Sequence, residues 1–112
     1  MTKDEIYQAW KQAKAQLEKK RGGPHVVLVK LDVALRGVYG AFDRDAHIVS
    51  VCCGLPTKEQ RLVNRPPVTV CEFPESTLDA RVQQLLAHKN NVAVIDSIVE
   101  RTRAIQPVGM PH

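Results

Sequence analysis

Apolar side chains recur at Ile6, Trp10, Ala13 and Leu17, in steps of four, three and four, with Lys and Gln filling most positions between them. That spacing lays one apolar stripe along an α-helix. The helix opens on Thr2-Lys3-Asp4-Glu5, where the Thr2 hydroxyl and the Glu5 carboxylate can form a capping box, and it closes at Gly22-Gly23-Pro24. Residues 1–23 are therefore expected to form an amphipathic helix that packs on the rest of the chain, with Trp10, the only tryptophan, as its anchor.

From His25 the period shortens towards two and β-branched residues dominate. Strands are predicted at 25–31, 34–42 and 46–53, joined by short connections that favour an antiparallel meander. Gly37 and Gly40 inside the second strand predict a bend or a close backbone approach. Residues 54–66 combine Gly, Pro, Lys58, Arg61 and Arg65, the composition of an exposed basic excursion. A further strand spans Val68 to Phe73 and stops at Pro74. Residues 76–90 admit two readings. Leu78, Val82, Leu85 and Leu86 after a Ser-Thr cap have helical period, whereas Arg81 to Ala87 can also run as a strand. Val92 to Ile95 reads as a strand continuing through Ile98 and Val99, and residues 104–112, with Pro107 and Pro111, read as a flexible tail.

At 112 residues, 44% hydrophobic and 25% charged, the chain has the composition of one ordinary globular domain. Its longest apolar runs, Val26–Val29 and Val92–Ile95, are strand-sized and too short to cross a bilayer, so no membrane partner is expected. The acidic, amphipathic N-terminus is unlike a secretory signal and suggests cytosol or nucleus. Net charge is +4, with six basic and three acidic side chains in residues 1–21 and near-balance beyond. Such weak basicity permits phosphate contact without requiring it. Cys52, Cys53 and Cys71 form no C-x-x-C pair and are expected as reduced thiols. A zinc site that adds His47 would need adjacent cysteines to point the same way, so no metal or cofactor is expected. Glycine-rich phosphate loops and hydrolase or metalloprotease motifs are absent, and Glu72, Glu75 and Asp79 read as solvated loop acids, so the chain is not expected to be an enzyme.

The stretch Leu35 to Val49, with a bending glycine at Gly37 and a hydrophobic-Asp turn at Phe42-Asp43, resembles the first signature motif of the Sm/LSm family. Val82 to Ile95, with His88-Lys89-Asn90-Asn91 at the turn, is similar to the second. With the N-terminal helix and the excursion between the motifs, the likeness is greatest to D-type core Sm proteins or their LSm counterparts, and it covers roughly residues 25 to 100. Two motifs in order outweigh the local helical period at 76–90.

The resemblance implies a mainly β fold, a small strongly bent five-stranded antiparallel Sm-like barrel over residues 24–103 with an N-terminal α-helix and a variable loop at about 54–66. It also implies a subunit of a hetero-oligomeric, heptameric ring, assembled through edge strands near 82–88 and 92–99, on uridine-rich small nuclear RNA in the spliceosome. The expected compartment is the nucleus, with cytoplasmic assembly. The RNA-binding residues implied are Arg44, Asp45, His47, His88, Lys89 and Asn90, the histidines stacking on bases, Asn90 reading a base edge, Arg44 and Lys89 meeting phosphate. His47 and His88-Lys89 replace the family's turn Asn and Arg-Gly, which favours, as the alternative, a divergent Sm-like adaptor that assembles proteins without reading bases.

Overall fold

The structure, a computed structural model, describes residues 3–32, 37–63, 65–95 and 105–108. Helix α1 (Lys3–Arg21) leads into β1 (Val26–Asp32) and β2 (Val38–Phe42), followed by α2 (Asp43–Cys53). A hairpin of β3 (Lys58–Leu62) and β4 (Arg65–Pro74), one 3-10 turn (Glu75–Thr77), α3 (Leu78–Ala87), β5 (Val92–Ile95) and β6 (Ile105–Val108) complete it. The Thr2 cap, residues 33–36 and residues 96–99, where parts of the predicted strands fall, lie outside the described residues.

Among the described residues six strands form one mixed sheet in the order β3-β4-β2-β1-β5-β6. β1 and β5 run parallel, Val26 opposite Val92 through Val29 opposite Ile95, and every other pairing is antiparallel. The central pair explains the two uninterrupted apolar runs, because a strand covered on both faces has no polar side to alternate with. Val27, Val29, Ala93 and Ile95 face α1 together with Ile6, Tyr7, Trp10 and Leu17. Val26, Leu28, Val92 and Val94 face the other way, onto Ala46, Val49, Val82 and Leu85 of α2 and α3. One helix on one face and two on the other make a three-layer domain.

The N-terminal helix and the compact sheet-based domain are as expected, but the antiparallel barrel is not formed. The sheet is mixed and open, with β3 and β6 as its edges. Residues 46–53, expected as a strand, belong to α2: the inward positions Ala46 and Val49 are three apart, and Val51, which period-two alternation would place on the same strand face as Val49, is 82% exposed. Residues 78–87 form α3, with Val82 and Leu85 buried, so the local helical period holds and the strand implied by the resemblance does not exist. β5 is an interior strand rather than an edge. Ile105–Val108, within the stretch read as a tail, pairs with β5.

Gly40 is the close backbone approach anticipated in β2. It lies opposite Val29 on one side and Glu72 on the other, and a Cβ there would stand 2.5 Å from the Cys71 carbonyl oxygen and 2.7 Å from Leu31 Cδ1. Since the obstructing oxygen is backbone, Gly40→Ala is expected to lower stability by about 1–3 kcal/mol in urea unfolding. An unchanged midpoint would show that the β2–β4 pairing can open to admit a methyl group.

Candidate functional site

Topology brings three chain segments to one end of the sheet. α1 and α3 finish just before the parallel strands β1 and β5 begin, and β2, antiparallel to β1, delivers α2 to the same end. A cavity of about 220 Å³ opens between them, with Lys14, His25, Arg44, Asp45, Lys89 and Asn91 on its walls.

Its floor is a buried polar network set by the backbone of Val27. The N–H of Val26 is donated to the Asn91 carbonyl at 2.8 Å, on the β5 side. Successive strand residues alternate in direction, so the polar groups of Val27 point to the β2 side, where the ladder begins only at Val29 opposite Gly40. Two side chains fill the gap. Asp45 Oδ2 accepts the Val27 N–H at 3.0 Å, and Trp10 Nε1 donates to the Val27 carbonyl at 2.7 Å. Lys14 then holds Asp45 at 3.0 Å, Glu18 at 2.9 Å and the His25 carbonyl, which occupies all three of its protons. Glu18 also accepts the His25 N–H at 2.7 Å. At the start of α2, Asp43 adopts φ 54°, the left-handed region an Asp tolerates, and accepts the Tyr7 hydroxyl proton at 2.6 Å.

Asp45 is 1% exposed, and loss of water raises its pKa despite the Val27 and Lys14 contacts. Glu18 is shifted down: desolvation, which would raise it, is outweighed by the His25 N–H and Lys14. Burial pushes the thiols of Cys53 and Cys71 up, with the Arg81 charge pulling weakly the other way, so both stay protonated and poorly nucleophilic at neutral pH. Among the described residues no group of three or more His, Cys, Asp or Glu could hold a metal ion, and no helix is long and apolar enough to cross a membrane.

Four of the six residues singled out in the sequence, Arg44, Asp45, Lys89 and Asn90, meet at this cavity, and His47 and His88 do not line it. Two of the four, Asp45 and Asn90, have their side chains turned to internal partners. The Asp45 carboxylate is turned inward to Val27 and Lys14. The side chain of Asn90 donates to the Leu85 carbonyl at 3.0 Å and reaches Cys52 Sγ at 3.7 Å, so it ends α3 rather than facing outward. His88 Nδ1 lies 2.9 Å from the Gln84 carbonyl, on the last turn of α3, and His47 stands exposed on α2. Arg44 and Lys89 are exposed. Lys14, Trp10 and Glu18 were missed as site residues. Their helical spacing showed only that they share α1, and nothing local signals that Lys14 meets an acid 31 positions on.

The family model of MutS domain I matches residues 9–108. The chain belongs to the MutS domain I family. No curated protein matches the chain. Membership overturns the Sm/LSm resemblance, and with it the heptameric ring, the uridine-rich small nuclear RNA, the splicing role and the adaptor alternative. The motifs behind that resemblance lie on other elements in this MutS domain I fold: Phe42-Asp43 is a strand-to-helix junction, and His88 to Asn91 is a helix-to-strand turn.

Two substitutions separate the structural parts of Asp45. Asp45→Ala leaves the buried Val27 N–H without an acceptor and is expected to cost about 1–3 kcal/mol, whereas Asp45→Asn keeps an acceptor oxygen and should cost less. The pH dependence has a fixed sign. A raised Asp pKa means that the native state holds the proton more tightly, so this contribution is greatest below the unfolded value of 3.8 and is lost as pH rises through the folded pKa. Glu18 acts oppositely, adding stability above 4.5 that is lost as pH falls through its folded pKa. Urea unfolding of wild type and Asp45→Asn between about pH 4 and about pH 7 isolates the Asp45 part. The wild type is expected to lose ground to the variant as pH rises, and the opposite trend would mean that Lys14 dominates desolvation.

Proposed function

We propose that this domain is a DNA-contacting module of mismatch-repair type, which binds duplex DNA and does no covalent chemistry of its own. The observation that carries this reading is the match to MutS domain I over residues 9–108. Charge supports it: the sequence pI is about 9.2, and a net positive domain draws in a polyanion before any specific contact forms. A mismatched step is the most readily deformed point of a duplex, so a rigid domain pressed against the backbone gains most where the DNA yields. The three-layer core, with α1, β1 and α2 tied through Val27, supplies such a rigid body.

The test is fluorescence anisotropy of the full chain with labelled duplexes that differ by one mismatched or unpaired base. Binding is expected to weaken as salt rises, with a slope of log K on log salt of about −2 to −4, as two to four phosphate contacts require. The mismatched duplex should be bound more tightly than its matched control. Equal affinity would overturn the mismatch preference, and no binding to either duplex at about 50 mM salt would overturn the DNA reading altogether.

A further inference from the structure

The cavity floor accounts for every proton of Lys14 and holds both acids on internal donors, yet two cations at its mouth remain uncommitted. Among the described residues the side chains of Arg44 and Lys89 have no ion pair or hydrogen bond. Elsewhere several cations are engaged: Lys58 with Glu72 at 2.9 Å, Lys30 with Glu75 at 3.2 Å, and Arg65 over the Tyr7 ring at 4.6 Å. Lys19, Lys20 and Arg21 stand exposed at the end of α1, just beyond Glu18, and add charge of the same sign beside the cavity.

Lys89 carries a second signal. The Asn90 N–H is donated to the Leu85 carbonyl at 3.2 Å and the Lys89 N–H to the Leu86 carbonyl at 3.0 Å, which closes α3 in a Schellman arrangement with Lys89 at φ 67°. That left-handed position is the one glycine usually fills, because a Cβ there is strained. The other α-helix with a left-handed residue at its end in this sheet layer, α2, does have a glycine there, Gly54 at φ 67°. At Lys89 the chain accepts backbone strain and holds an ammonium at the mouth of the cavity.

We propose that this cavity is a phosphate site, in which the Arg44 guanidinium and the Lys89 ammonium, both on its lining, grip a nucleotide phosphate. A guanidinium offers paired N–H groups to two phosphate oxygens, and an ammonium adds a point charge, a combination suited to a phosphodiester or phosphomonoester. The cavity volume of about 220 Å³ admits the phosphate with part of its sugar. That a DNA strand supplies the phosphate rests on the reading of the domain as a DNA-contacting module, whereas the site itself does not.

The experiment uses the full chain and four proteins: wild type, Arg44→Gln/Lys89→Gln, Lys89→Gly, and Lys3→Gln/Arg61→Gln. The last removes the same charge from exposed positions at other places, Lys3 lying about 16 Å along α1 from Lys14. Each is titrated with a labelled duplex by anisotropy and with deoxyadenosine monophosphate by amide NMR. The expected result is an affinity for duplex lowered about tenfold or more in Arg44→Gln/Lys89→Gln, with a salt slope less negative by about 2, and little change in Lys3→Gln/Arg61→Gln. The nucleotide should shift the amides of residues 44, 45 and 89–91 in wild type and leave them still in the cavity variant. Lys89→Gly should unfold at a higher temperature than wild type and still lose affinity, a pairing that damage to the fold cannot produce. Equal losses in the two double variants would overturn the site and leave the DNA reading standing. If wild type binds no duplex, the DNA reading fails, and the nucleotide decides alone: saturable shifts confined to the cavity uphold the site, and their absence overturns it. Displacement of the nucleotide by duplex identifies DNA as the source of the phosphate, and lack of displacement a free nucleotide.

Discussion

The backbone of Val27 is the constraint on which the domain turns. It sits in the middle of the sheet, fully buried, at a point where the β1–β2 hydrogen-bond ladder has not yet begun. A buried N–H or carbonyl without a partner costs as much as a lost hydrogen bond, so the chain has to supply two polar atoms from elsewhere. It does so with Trp10 from α1 and Asp45 from α2, one for each polar group of the residue. These bonds fix both helices relative to β1, on opposite faces of the same strand. An apolar contact alone would allow either helix to slide by a turn.

Using a carboxylate for this purpose brings a charge into the interior, and the arrangement around it follows. Lys14 enters to balance Asp45 and, having three protons, also gathers Glu18 and the His25 carbonyl. The network thereby orders the loop between α1 and β1 and gives the cavity a polar floor. Once these groups have satisfied one another, the outward electrostatics of this end of the sheet are left to Arg44, Lys89 and the basic end of α1. A structural requirement in the core and a concentration of available positive charge above it are thus parts of the same construction.

Much of the chain was legible one element at a time. The α1 stripe, the two apolar runs and the close approach at Gly40 each carry a signal that depends on near neighbours alone. Residues 46–53 show where such signals fail. Ile48, Val49 and Val51 favour a strand by residue type, and only their burial in three dimensions, with Val49 inside and Val51 exposed, distinguishes a helix. At 78–87 the helical period is a true local signal, since Val82 and Leu85, three apart, both face the core from α3. Of the candidate site residues, Arg44 and Lys89 stand at the cavity as exposed cations, while Asp45 and Asn90 are turned inward to the backbone.

By itself the sequence determined that an amphipathic helix precedes a chain rich in strands, that Val26–Val29 and Val92–Ile95 are strands, and that the net charge is positive. These are properties of periodicity and composition, which act over a few residues. Tertiary structure alone decided that the two apolar runs pair in parallel, that the sheet stays open, and that Lys14, Asp45 and the turn at Lys89 surround one cavity. The reason is physical: those outcomes come from burying two faces of one sheet and satisfying one interior peptide at once, and partners separated by 18 or 31 positions leave no mark in the local pattern.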